Sequence, residues 1–148
     1  MSTYTKKEKK CIDLVQDRFD DVEKTFKEAI QYYDWLESES FVEINNDYHG
    51  YNDFYEWLNY FGLDFGYVEP GTFNDQKTGY FRYQLSWGGP ADEFRIYLNN
   101  IGLIDHIEYW YLDWFDGASI EVEFDSESYN VCAGLLDVDP LYVGGDYE

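Results

Sequence analysis

Between residues 79 and 125 the sequence alternates aromatic or β-branched residues with polar ones, in four runs separated by short breaks of Gly, Pro, Asn and Asp. Successive side chains of a strand point to opposite faces, so this alternation predicts four strands with one apolar face. Short breaks favour hairpins, so the strands should lie in chain order. In the last run we expect Ala118, Ile120, Val122 and Phe124 to face the core. The other face should be wet and should gather carboxylates.

A second pattern precedes the sheet. From Lys6 to Glu37, apolar residues recur at steps of three and four, which predicts a long helix. Whether it is continuous or breaks near Asp20 and Asp21 stays open. We prefer a helix packed across the sheet, and the alternative is a homodimer formed through this helix. Its predicted apolar stripe consists of Ile12, Val15, Phe19, Val22, Phe26, Ile30, Tyr33 and Leu36.

Two shorter helices complete the expected fold. One should run from Asp53 to Phe61, capped by Asn52 or Asp53 and ended by Gly62 in the left-handed conformation. Residues 63–78 should be an irregular connection. The last helix should begin at Ser126 or Ser128 and end at Leu136, with Val131, Leu135 and Leu136 turned inward. We therefore predict a single α+β domain over residues 1–148: a helical segment at 1–37, a four-stranded antiparallel sheet at 79–125 and an acidic tail at 137–148.

Charge is the most unusual property of the chain. Its 31 acidic residues face only 10 Lys and Arg, for a net charge of −21. Residues 28–148 hold 25 of these acids against three bases, Lys77, Arg82 and Arg95. Such a field repels nucleic acids and membrane surfaces and attracts cationic partners. We therefore expect neither direct nucleic-acid binding nor membrane binding.

Compartment and cofactor use follow from the cysteines and from the absence of motifs. Cys11 and Cys132 form no disulfide framework, which favours a reducing bacterial cytoplasm. No secretory signal or membrane-spanning run is evident. The sequence contains no phosphate-binding loop, nucleophile elbow or dinucleotide fingerprint, so we expect no enzyme activity, no cofactor and no metal.

Weaker chemical signals have structural explanations. His106 alternates with apolar residues, which favours a hydrogen-bonded structural imidazole over a catalytic base. Paired carboxylates and aromatic residues leave a carbohydrate-active domain as an alternative. Residues 45–50 and 137–139 contain fragments of an oxygen-ligand loop, so a calcium-binding domain is another alternative. Neither fragment fits the full calcium-loop pattern, and we interpret both as turns.

The acidic surface is the strongest candidate site. Seven acids lie between residues 105 and 125 without a base among them. Glu121, Glu123 and Asp125 should stand about 6.7 Å apart on one strand, as a row of fixed negative charge that mimics phosphates. Tyr109 and Tyr111 should add contact area that salt does not weaken. A surface that merely keeps the protein soluble is the competing interpretation. The predicted partner-binding residues are Asp105, Glu108, Tyr109, Tyr111, Asp113, Asp116, Glu121, Glu123 and Asp125.

The chain resembles the DNA-mimic proteins of phages and plasmids, which include anti-restriction and anti-CRISPR inhibitors. The likeness rests on small size, acidity and aromatic content. The blocks YFRYQLSWGGPADEFRIYLN and IEYWYLDWFDGA, within residues 80–118, also look like a segment of small proteins of bacterial mobile elements. The resemblance implies a protein that evades host defence by occupying a nucleic-acid-binding surface, with a CRISPR effector or restriction enzyme as its partner.

Immunity proteins of polymorphic toxins are the nearest alternative. They are also small, acidic and cytoplasmic, and they neutralise basic nuclease toxins. A toxin gene directly upstream would favour immunity, whereas neighbouring phage genes would favour anti-defence.

Overall fold

The computed structural model describes residues 10–37, 51, 53–73, 75–88, 90–114 and 116–138. Three helices and five strands form within these ranges, so the α+β class is confirmed. In chain order the elements are α1 (Cys11–Glu37), α2 (Phe54–Phe61), β1 (Asp64–Val68), β2 (Tyr80–Ser86), β3 (Ala91–Leu98), β4 (Ile104–Asp113), β5 (Asp116–Glu121) and α3 (Glu127–Val138).

The sheet is antiparallel throughout, and its strands lie in chain order from β1 to β5. The four predicted strands correspond to β2 to β5. The prediction of four strands is nevertheless wrong, because β1 pairs with β2 as a fifth, from Asp64 opposite Gln84 to Val68 opposite Tyr80. Residues 63–78 therefore include an edge strand and are not all irregular.

The two faces of the sheet differ in what covers them. We call the side that contacts the helices the core face, and the opposite side the outer face. The core face carries Phe81, Tyr83, Phe94, Ile96, Ile107, Tyr109, Tyr111 and Ala118, all buried. The outer face carries Tyr80, Arg82, Gln84, Glu93, Arg95, Tyr97, His106, Glu108, Trp110 and Glu121.

The outer face differs from the predicted wet, carboxylate-rich surface. Tyr80, Gln84 and Glu93 are buried there, at 2%, 7% and 4% exposure. Two of the three bases found after residue 27, Arg82 and Arg95, lie directly opposite each other on this face. The aliphatic parts of long side chains such as Arg cover neighbouring residues on an open sheet face. The positive charges of Arg82 and Arg95 therefore lie among the acidic side chains of this face.

Helix α1 is continuous and lies against the core face. The Phe19 ring is 5.5 Å from the Tyr109 ring, and the Phe26 ring is 5.9 Å from the Phe94 ring, measured between centroids. Each buried ring of this size stabilises the fold by roughly 1.5–3 kcal/mol. The preferred interpretation, a helix packed across the sheet, is thus confirmed. Within the predicted stripe Ile30 is only half-buried and Ile12 is 74% exposed, and the burial of Leu36 lies outside what the structure describes. The predicted start at Lys6 lies outside the described residues.

The α2 helix has the predicted cap but a different end. The Asp53 carboxylate accepts a hydrogen bond from the Glu56 amide at 2.9 Å. Gly62 ends the helix in an extended conformation with φ −83°, so the left-handed prediction is wrong. The residue is glycine because a Cβ would lie 2.3 Å from the Tyr83 ring. The Tyr83 hydroxyl donates a 2.6 Å hydrogen bond to the Leu58 carbonyl and closes the helix.

The last helix follows its prediction closely. The Ser126 hydroxyl accepts a hydrogen bond from the Tyr129 amide at 3.2 Å, as an N-cap does. Val131, Leu135 and Leu136 are buried as expected. The helix runs to Val138, two residues beyond its predicted end, so Asp137 and Val138 belong to the helix and not to the predicted tail at 137–148. The rest of that tail lies outside the described residues.

A candidate acidic interface

The row predicted for Glu121, Glu123 and Asp125 does not lie on one strand. Strand β5 ends at Glu121, and the next two carboxylates belong to a turn in which Asp125 has a φ of 65°. Val122 between them is buried, and its amide donates to the Ile107 carbonyl at 2.8 Å. The regular spacing is therefore wrong, but all three carboxylates are exposed. None of them has an ion-pair partner among the described residues.

Phe124 lies in the same turn and was expected to face the core. It is 80% exposed and contacts the Tyr129 ring at 5.1 Å between centroids. Strand alternation ends with β5, so residue 124 no longer follows it.

Asp116, at the start of β5, holds the first turn of α1. Its carboxylate accepts a 2.8 Å hydrogen bond from the Cys11 amide. That bond is the main cause of a pKa lowered below the ordinary value for Asp116. The side chain thus combines an exposed position with a structural contact.

The three acids of β4 are more engaged than predicted. Asp105 accepts from His106 Nδ1 at 2.7 Å, and Glu108 contacts His106 Nε2 at 3.1 Å. Glu108 also accepts from the Trp110 indole at 2.8 Å. One carboxylate oxygen of Asp113 is buried without a hydrogen-bond partner in the described part of the chain. His106 is hydrogen-bonded through both nitrogens, in keeping with the predicted structural imidazole.

Tyr109 and Tyr111 are not surface residues. They lie on the core face at 0% and 6% exposure. The prediction that they supply contact area to a partner is wrong, because their strand turns odd-numbered residues toward α1.

Sequence reasoning missed an acidic face of α1. Asp13, Asp17, Asp20 and Asp21 are all exposed and are spaced as neighbours on one side of a helix. The spacing i, i+4, i+7 and i+8 was visible in the sequence. The acidic face was overlooked because seven bases within residues 1–27 bring the net charge of that segment close to zero.

This acidic face flanks the same edge of the molecule as β5. The Cys11 amide bonds Asp116, and the Ser128 amide donates to the Glu23 carboxylate at 3.0 Å. Both bonds join residues 105 positions apart, so residues 11–23 run alongside residues 116–128 in the same direction. We call the exposed carboxylates of these two segments the acidic flank. They belong to Asp13, Asp17, Asp20, Asp21, Glu121, Glu123 and Asp125, of which Glu121 lies on the outer face of the sheet.

Neither a candidate metal cluster nor a membrane-spanning helix is found in the described part of the chain. Residues 10–37, 51, 53–73, 75–88, 90–114 and 116–138 hold no group of three or more His, Cys, Asp or Glu side chains placed to bind a metal ion. No helix within those ranges is both long and apolar enough to cross a bilayer. His49 and residues 45–50, with the first calcium-like fragment, lie outside the described residues, as does Asp139 of the second.

The comparisons with known proteins gave no relative. No protein-family model matches the chain, and neither the curated proteins nor the solved structures contain a significant match.

Proposed function

We propose that this chain is a non-enzymatic inhibitor that binds a basic nucleic-acid-binding protein through its acidic flank. The supporting observation is that two rows of exposed carboxylates lie on segments whose backbones run alongside each other, residues 11–23 of α1 and residues 116–128 of β5 and its following turn. A protein that binds nucleic acid presents Lys and Arg to the phosphates. The two rows offer such a surface an alternative set of negative charges.

The charge balance favours this use over simple solubility. Glu121, Glu123 and Asp125 have no cationic partner among the described residues, and like charges held together destabilise a compact state. Solubility alone needs only a modest net charge. A cationic partner that binds the acidic flank would neutralise its carboxylates and remove the repulsion among them.

The proposed target has a cleft lined with Lys and Arg, as a CRISPR effector or a restriction complex does. Binding should compete with the target's own DNA or RNA. It should also weaken steeply as salt rises from about 50 to 200 mM, because ionic contacts are screened.

The test compares two triple variants with equal charge changes. In the flank variant, Glu121→Gln, Glu123→Gln and Asp125→Asn remove three charges from β5 and its turn. In the control variant, Asp64→Asn, Glu69→Gln and Asp75→Asn remove three exposed charges from β1, at the other edge of the sheet, and the loop after it. Immobilised wild type and both variants are incubated with bacterial lysate, and bound proteins are eluted with duplex DNA and identified by mass spectrometry.

We expect wild type and control to retain nucleic-acid-binding proteins that DNA releases, and the flank variant to lose most of them. A second flank variant, Asp17→Asn with Asp21→Asn, should lose part of the binding because it removes charge from α1. Equal retention by the flank and control variants would refute the proposal. Retention that neither DNA nor salt reduces would do the same.

A further inference from the structure

The few bases of the acidic part of the chain are gathered in one place. Lys77, Arg82 and Arg95 are the only Lys or Arg after residue 27. Arg82 and Arg95 are direct cross-strand partners on β2 and β3. Like charges directly opposite each other destabilise a sheet. On its other side Arg95 faces Glu108 of β4, so the two bases and the acids beside them lie in one row across the outer face.

Arg95 is held in a fixed orientation. Its Nε donates a 2.7 Å hydrogen bond to Glu93, which is buried. The guanidinium carbon lies 4.3 Å from the centroid of the Trp110 ring and 5.1 Å from that of the Tyr80 ring. A guanidinium has five N–H donors, and the Nη donors of Arg95 have no hydrogen-bond partner within the described ranges. The side chain thus presents an immobilised fork of unused donors.

This fork lies in a groove of about 530 Å³ on the outer face. Strand residues form its floor, and the loop between β1 and β2 forms one wall. The volume falls in the range of small-molecule sites. We call this the outer groove; its lining includes Arg95, Tyr80, Tyr97 and His106 on the floor and Phe73 and Lys77 on the wall.

Tyr80 adds a second, independent sign of a binding site. The residue is 2% exposed, yet its hydroxyl has no hydrogen-bond partner in the described part of the chain. Most buried polar groups of native proteins are paired, so an unpaired one beside a groove calls for a partner. A ligand, or a water that the ligand orders, would supply it.

Three carboxylates line the groove, those of Asp75, Asp105 and Glu108, and Asp75 has no ion pair among the described residues. Glu93 binds Arg95, while Asp105 and Glu108 both bind His106. Burial lowers the pKa of His106, but the hydrogen bonds to the two carboxylates and their charges raise it more, so the net shift is upward. Lys77 and Arg82 have no ion pair among the described residues. The unpaired charges that line the groove are therefore those of Lys77 and Asp75, and the Arg95 fork supplies further unused donors.

We propose that the outer groove binds a small molecule through an oxyanion, a phosphate or carboxylate group, held by the Arg95 fork and by Lys77. Guanidinium groups match the paired oxygens of such anions and bind them with charge-assisted hydrogen bonds. A nucleic acid is not the ligand, because a chain of phosphates would meet the repulsion of the whole protein. This site is independent of the acidic flank.

The test is a titration followed by NMR of backbone amides and of the arginine Nε groups. Inorganic phosphate and acetate are added separately to the full chain, at constant ionic strength kept with chloride. We expect saturable shifts at Arg95 Nε and at residues of the groove. Stronger binding of phosphate would identify a phosphorylated ligand, and stronger binding of acetate a carboxylate ligand.

Variants then assign the binding to these residues. Arg95→Gln and Lys77→Gln should each weaken binding by roughly tenfold, the scale of a lost charged hydrogen bond. Lys77 is exposed in a loop, so its variant should fold even if Arg95→Gln does not. Lys24→Gln removes an exposed charge from α1 and should leave the affinity unchanged.

Absence of saturable shifts with both anions would overturn the proposal. Equal affinity in wild type, Arg95→Gln and Lys77→Gln would overturn it as well. The flank variant Glu121→Gln, Glu123→Gln and Asp125→Asn should bind the anion as wild type does, so failure here and failure of the proposed inhibitor function are separable.

Discussion

The Tyr109 hydroxyl donates a 2.6 Å hydrogen bond to Asp92, and both side chains are buried. The other oxygen of Asp92 is hydrogen-bonded by the Ser86 hydroxyl. A buried carboxylate is thus held by two hydroxyl groups where β2 ends and β3 begins, with no cation in an ion pair among the described residues. Removing one of these hydroxyl donors leaves the buried negative charge of Asp92 with one hydrogen bond fewer, which destabilises the folded state.

We therefore expect Tyr109→Phe to lower the free energy of unfolding by about 1.5–3 kcal/mol, the cost of a hydrogen bond to a charged group. The matched control is Tyr80→Phe, which removes a buried hydroxyl that has no partner in the described part of the chain. That variant should be neutral or slightly stabilising. Urea unfolding of both variants measures the difference, and equal losses would contradict the assigned role of the Tyr109 hydroxyl.

A second prediction concerns Glu121, which lies directly opposite Glu108 on β4. Like charges in this position destabilise a sheet by roughly 0.2–1 kcal/mol. Glu121→Gln should raise the free energy of unfolding by that amount in low salt, and the gain should shrink in high salt. Glu123→Gln, which removes an exposed charge outside the strand, should gain less. Urea unfolding at two salt concentrations compares them, and a loss of stability in Glu121→Gln would contradict the expectation.

A third prediction concerns the bond between Asp116 and Cys11. The pKa of Asp116 is lowered in the folded state, so the bond stabilises the protein above the ordinary pKa of Asp. This contribution is lost as the pH falls through the lowered value. Asp116→Asn should therefore be less stable than wild type at pH 7, and the two should converge in acid. Parallel unfolding curves across that pH range would show the bond to be unimportant.

His106 gives the fourth prediction. Burial lowers its pKa, but the hydrogen bonds that the imidazole donates to Asp105 and Glu108, together with the charges of these carboxylates, raise it more. A raised pKa means that the contribution to stability is complete below the unfolded pKa and is lost as the pH rises through the folded one. An NMR titration of the imidazole should give a pKa above 6.5. Asp105→Asn should lower it, and a value unchanged by that substitution would reject the assigned contact.

The alternation of residues 79–125 was sufficient to predict four strands and their order, because side-chain period and short turns are local properties. Strand β1 escaped prediction since its sequence, Asp64-Phe65-Gly66-Tyr67-Val68, contains two residues that disfavour strands. It forms because β2 offers an unpaired edge, which no local pattern reveals.

The candidate site was predictable in composition but not in shape. Exposure of Glu121, Glu123 and Asp125 followed from the sequence, whereas the end of β5 at Glu121 depends on the contact of Val122 with β4. The acidic flank could not be predicted because it depends on the docking of α1 beside β5. That docking is a contact between residues 105 positions apart in the sequence. That Arg82 lies directly opposite Arg95 could not be predicted without knowing the register of β2 against β3.

That docking also orders the events of folding. Helix α1 packs mainly on β4, β5 and α3, all of which are synthesised after it. A nascent chain therefore carries an amphipathic helix whose apolar face has little to cover it until the last strand emerges. Contacts this distant in sequence slow folding and leave apolar surface exposed in the meantime. The core-facing side of α1 is therefore covered only after β4, β5 and α3 have been synthesised.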